Sequence, residues 1–81
     1  MTPDAIRSLA VDILSGIAPE ADFAALGDDD ALREVLDLDS MDFLNFIAAL
    51  HQATGVDIPE ADYRKLFTLA GVRNYLSAGG E

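Results

Sequence analysis

The sequence predicts an all-α fold: a small four-helix bundle of three main helices and one short one, with a long first loop. Three observations predict it. Apolar residues recur at helical spacing in separate stretches, residues that cap helices precede those stretches, and no strand pattern lies between them. With 81 residues, 51% of them hydrophobic and 25% charged, the chain has the composition of a folded domain and room for one core. A single domain over 1–81 is expected, with its core within about 3–77 and a tail, 78–81, that frays around Gly79 and Gly80.

The first helix opens at Thr2, an N-cap followed by Pro3 and Asp4, and its apolar positions are Ile6, Leu9, Ala10, Ile13 and Ile17. Gly16, with Pro19 beyond it, is read as its stop. Residues 18–30 mix Pro, Gly and Asp around Phe23 and Leu26, and form a long loop pinned to the core by those two side chains. A short helical turn is expected over 31–36. The strongest helical segment is Ser40–Thr54, capped by Asp39 or Ser40, with Asp42 in its first turn and Gly55 at its end. Val56-Asp57-Ile58-Pro59 reads as an extended connector, 59–66 as a short helix, and Thr68 as the cap of a last helix with the stripe Leu69, Val72, Tyr75 and Leu76.

Composition excludes several functions. Fifteen acidic residues against five basic ones, a net charge of −10, repel nucleic acid and anionic membrane surfaces and attract partners with basic patches. No apolar run approaches the roughly 20 residues that span a bilayer. There is no cysteine, so disulfides, thiolate chemistry and cysteine-based zinc sites are absent. No secretion signal is recognisable in Met1-Thr2-Pro3-Asp4, and a cytoplasmic monomer is expected.

Templates for catalysis are empty. No Gly-rich phosphate loop or H-E-x-x-H run occurs, and His51 is the one histidine. Within one helix it stands about 16 Å along the axis from Ser40, so the two cannot pair, and His51 is read as a solvent-facing or rim residue. Asp28-Asp29-Asp30 lacks the alternation, turn glycine and later Glu of a calcium loop and is read as solvated. Asp37, Asp39 and Asp42 cluster around Ser40, where they suit the positive end of the helix; no cleft is expected there to separate two carboxylate pKa values for acid–base work.

At 100° per residue, Phe43, Phe46, Ile47, Leu50 and Thr54 share one arc of the 40–54 helix, an ordinary core stripe. Met41, Leu44 and Ala48 fall on a second arc beside Ser40, where a monomer would normally carry Lys or Glu, and are read as a docking surface. A serine flanked by carboxylates and without a base is a poor nucleophile, but it is a good acceptor for another enzyme.

Leu36-Asp37-Leu38-Asp39-Ser40-Met41 resembles the modification motif of acyl carrier proteins, in which a Gly-x-Asp-Ser-Leu/Met run opens the second helix. Val56-Asp57-Ile58-Pro59 and Thr68-Leu69 resemble later segments of that family, so the likeness runs from about Ile6 to Leu76. The resemblance implies a non-catalytic four-helix carrier with a covalent 4′-phosphopantetheine arm, drawn from coenzyme A by a separate magnesium-dependent transferase, on the Ser40 hydroxyl, with Asp39 and Met41 beside it. It implies as partners that phosphopantetheinyl transferase and enzymes that load, modify or transfer acyl groups. These are expected to dock through basic or apolar patches on Met41, Asp42, Leu44, Asn45 and Ala48. Two departures stand out. Asp37 occupies the usual glycine position, so a different backbone is expected just before Ser40. The outer face of the helix, with Asn45, His51 and Gln52, is less acidic than in fatty-acid carriers. A specialised lipid or secondary-metabolite pathway is therefore expected. An aminoacyl or peptidyl carrier and an unmodified helical adaptor are the competing readings.

Overall fold

The structure, a computed structural model, describes residues 2–77. The expected tail at 78–81 lies outside the described residues. Four α-helices follow one another: α1 Pro3–Ile17, α2 Leu32–Val35, α3 Ser40–Thr54 and α4 Leu69–Ser77. Two 3-10 segments, Phe23–Ala25 and Glu60–Leu66, interrupt the loops, and no strand occurs among the described residues. The all-α reading is borne out, but the short helix at 59–66 is a 3-10 helix rather than an α-helix.

Local chemistry accounts for the helix ends. Thr2 Oγ1 accepts a hydrogen bond from the Ala5 N–H at 3.2 Å, which fixes the start of α1. Gly16 does not stop that helix; it lies within the last turn, and the Ala18 N–H closes the helix on the Leu14 carbonyl. The true terminator of its kind is Gly55, which ends α3 with φ of 72°, a left-handed conformation that glycine enters without steric cost. Thr68 caps α4 through the Gly71 N–H, as expected.

The core gathers apolar side chains from every element. From α1 come Ile6, Ala10 and Leu14, all fully buried, while Leu9, Ile13 and Ile17 are only partly covered. The buried stripe of α1 is thus rotated toward Leu14, which the periodicity reading omitted. From α3 come Phe43, Phe46, Ile47 and Leu50, and from α4 Leu69, Val72, Tyr75 and Leu76. These faces meet because α1 packs against both α3 and α4, and α4 also packs against the 3-10 segment Glu60–Leu66. At that contact a side chain on Gly71 would run into the Lys65 carbonyl oxygen, so the close approach requires glycine.

The long first loop is held at several points. Leu26 and Leu32 are buried and Phe23 packs on the core edge. Asp28, expected to be merely solvated, ties the loop to α4: its carboxylate pairs with Arg73 at 2.8 Å and its carbonyl accepts from the Ala70 N–H at 3.0 Å. The Arg73 hydrogen bond holds the Asp28 carboxyl below its usual value. Asp30 in turn accepts from the Gly27 N–H at 2.8 Å. The Leu32 N–H donates to the Phe67 carbonyl at 2.8 Å, which joins α2 to the end of the second 3-10 segment.

Tyr75 closes the opposite side. Its hydroxyl donates to Asp62 Oδ2 at 2.8 Å and lies 3.2 Å from the Asp57 carbonyl oxygen. Burial, with that carboxylate as the second cause, pushes the Tyr75 hydroxyl up to about 12. A phenol at about 10 in the unfolded chain and about 12 in the folded one stabilises the fold fully below pH 10, and loses that contribution as pH rises through 12. Tyr75→Phe should therefore lower stability by about 0.5–1.5 kcal/mol at pH 7 and flatten the loss between pH 10 and 12. Urea denaturation across that range, wild type against variant, checks both; parallel pH curves would refute the assignment.

Candidate functional site

Ser40 stands in the first turn of α3, and the chain leading to it is built by alternation. Leu36 and Leu38 are buried, and Asp37 and Asp39 between and after them point outward. The Leu38 N–H donates to the Arg33 carbonyl at 2.9 Å, so the approach to α3 is bound to α2 by backbone as well as by packing.

Asp39, rather than Ser40, is the cap. Its Oδ1 accepts from the Asp42 N–H at 2.8 Å, while Asp42 Oδ2 accepts from the Asp39 N–H at 3.3 Å, a reciprocal capping box made from two aspartates. The consequence for Ser40 is direct. Its hydroxyl is not needed for capping, it is exposed, and its partner is Arg33, whose Nη2 donates to Ser40 Oγ at 3.4 Å. The same guanidinium lies 6.0 Å from the centre of the Phe43 ring.

Asp37 shows why an aspartate can stand at a glycine position. Its φ is 54°, in the left-handed region, which among non-glycine residues Asp and Asn enter most readily. Asp37 thus takes a backbone conformation that glycine favours.

On α3 the outer arc is as expected. Met41 is 64% exposed, Leu44 42%, and Asn45 and Ala48 are exposed as well, while Asp42 is half-buried by its capping role. What sequence reasoning missed is a neighbouring cleft of about 350 Å³, where Ser40 and Leu44 face Arg33, Phe43, Tyr63 and Phe67, with Glu60 on the rim. Phe67, 39% exposed, stacks edge-on against Phe43 with ring centres 5.4 Å apart, and Tyr63 does the same at 6.4 Å. Arg33 comes from the four-residue α2, Tyr63 from the 3-10 segment and Phe67 from its C-cap, stretches too short or too tightly wound for an α-helical apolar stripe to mark them. The available signal was Arg33, an isolated cation seven residues before Ser40 in an acidic stretch.

The remaining candidates have structural roles. His51 Nδ1 lies 2.8 Å from the Val56 carbonyl oxygen at the far end of α3 and has no contact with Ser40. No group of three or more His, Cys, Asp or Glu residues able to hold a metal occurs among the described residues. None of their helices is long and apolar enough to cross a membrane.

The exposed Ser40 hydroxyl, held at a fixed helix start, is accessible to another protein, as an attachment site on a carrier protein would have to be. The comparisons agree. The family model described as the phosphopantetheine attachment site matches residues 4–76. An acyl carrier protein from Campylobacter curvus is 32% identical over 78 residues, 96% of this chain and 95% of that protein. The chain belongs to the acyl-carrier family of phosphopantetheine proteins; it is not an enzyme, and its cofactor is a covalent phosphopantetheine arm. Membership also implies interaction with a phosphopantetheinyl transferase and with acyl-processing enzymes.

The left-handed backbone at Asp37 yields a test. Asp37→Gly should melt at or above the wild-type temperature, Asp37→Asn close to it, and Asp37→Val lower by about 1–2 kcal/mol, or roughly 4–8 °C per kcal/mol for a domain of this size. Thermal melts of the three variants check the order. A valine variant as stable as the aspartate would show that the strain is not there.

Proposed function

We propose that Ser40 is the attachment residue, and that this protein presents acyl groups as thioesters on the arm it carries there. The observation that carries the reading is the division of labour at the helix start: Asp39 and Asp42 cap each other, which leaves the exposed Ser40 hydroxyl available. The chemistry of the surrounding groups suits a phosphodiester-linked arm, with a guanidinium 3.4 Å from Ser40 Oγ and an apolar cleft alongside. The arm brings the thiol that a cysteine-free chain lacks.

Attachment is a displacement at phosphorus. The Ser40 oxygen forms the new P–O bond, the P–O bond to the adenosine half of coenzyme A breaks, and the hydroxyl proton leaves to a base on the transferase. This chain contributes a fixed acceptor, held by the cap and by the buried Leu36 and Leu38 that set its approach. One domain with its body over 3–77 carries the function. Met41, Leu44, Asn45 and Ala48, with Asp42 at their edge, form the partner face.

That face is largely neutral and apolar. Its client enzymes are accordingly those of a specialised lipid or secondary-metabolite pathway, with apolar as well as basic docking patches. The same neutrality supports a second reading, an aminoacyl or peptidyl carrier.

Incubation with coenzyme A, magnesium and a broad-specificity phosphopantetheinyl transferase should add the mass of one arm to the wild type and none to Ser40→Ala, read by intact mass spectrometry. No gain in the wild type with several transferases would favour the unmodified adaptor. An equal gain in the alanine variant would move the attachment elsewhere.

A further inference from the structure

We propose that Arg33 is a positioning residue for the phosphodiester of the arm: its guanidinium, already on Ser40 Oγ, holds the phosphate oxygens against the mouth of the Phe43–Tyr63–Phe67 cleft. The inference rests on the reading of Ser40 as the attachment residue and adds to it a residue outside the modification motif.

Charge favours such a residue. A phosphodiester on Ser40 adds a negative charge next to Asp39 and Asp42, two carboxylates held in place by their mutual capping. Arg33 is the one cation lining the cleft that contains Ser40, and the other charged group there, Glu60, is acidic. Arg33 is also available. Arg73 pairs with Asp28 and Lys65 with Asp62, whereas Arg33 forms no ion pair among the described residues.

Its placement is fixed from both ends. Leu32, immediately before it, is fully buried and donates its N–H to the Phe67 carbonyl, while the Arg33 carbonyl accepts from the Leu38 N–H. The side chain then crosses the Phe43 ring to reach Ser40 Oγ. A planar guanidinium near an aromatic ring keeps several N–H donors free at its edge, which suits the paired oxygens of a phosphodiester better than an ammonium does. In the unmodified protein the acceptor is a neutral hydroxyl and the contact is long, 3.4 Å; a phosphate on that oxygen would offer anionic oxygens and turn the contact into an ion pair.

The experiment compares wild type, Arg33→Gln and Arg33→Lys, each with and without the arm, and each checked by intact mass. The readouts are the 31P resonance of the phosphodiester and the change in melting temperature on loading, at low salt and at 1 M salt. The wild-type resonance should be displaced from that of Arg33→Gln at low salt and converge on it at 1 M, where screening shortens to about 3 Å. Loading should raise the melting temperature of the wild type relative to Arg33→Gln by a few °C, with Arg33→Lys between the two. A role for Arg33 confined to packing on Phe43 would alter the unloaded melting temperature and leave the 31P signal unmoved. Coincident 31P resonances of loaded wild type and Arg33→Gln at low salt would overturn the proposal while leaving Ser40 as the attachment residue. Failure of the wild type to gain the arm on Ser40 would remove both.

Discussion

The rotation of α3 about its own axis is the constraint on which the rest depends. Burying Phe43, Phe46, Ile47 and Leu50 stabilises the fold by about 1.5–3 kcal/mol for each large side chain, so turning the helix by even one position would bring part of that stripe into water. Once that face is committed to the core against α1, Ser40 lies at its border and Met41, Leu44, Asn45 and Ala48 are on the outside. That outer arc is exposed, and core packing leaves its chemistry open.

The start of that helix is fixed by a separate set of interactions. Two aspartates cap one another, two leucines on the preceding segment are buried, and Asp37 takes a left-handed turn between them. Each keeps Ser40 in place without using its hydroxyl. Farther away, the ion pair of Asp28 with Arg73 and the hydrogen bond from Leu32 to Phe67 draw the first loop and α2 against α4 and the second 3-10 segment. Those contacts bring Arg33 to Ser40. A chain of net charge −10 thus places one of its few cations beside the proposed site of a further negative charge.

The parts legible in the sequence were those governed by a period or a cap. The core stripe of α3, its end at Gly55, its start at Asp39 or Ser40, Thr2 and Thr68 as caps, and the exposure of Met41 and Leu44 all follow from 100° per residue and from the chemistry of helix ends. The illegible parts depend on approach between distant segments. Asp28 could not be told from a solvated carboxylate until Arg73, forty-five positions later, came within 2.8 Å. Gly71 is an ordinary helix glycine until Lys65 packs against it, and the buried Leu14 shows that a stripe with one missing member can shift the packed face of α1. The cleft beside Ser40 escaped for the same reason, since Tyr63 lies in a 3-10 segment and Phe67 just after it, where the 100° spacing of an α-helix does not apply.

Leu44 tests most directly whether α3 is divided into a folding face and a recognition face. It lies beside Ser40, is 42% exposed, and is the largest side chain that the outer arc shares with the cleft. The decisive measurement is the rate of arm transfer to Leu44→Arg, taken with its helical content and melting temperature. An exposed apolar anchor at the centre of a docking patch is worth about 1–3 kcal/mol, so transfer should slow roughly tenfold while the helices and the melt stay close to wild type. Loss of the fold would mean that Leu44 belongs to the core, and an unchanged rate in a folded variant would mean that recognition does not use this face.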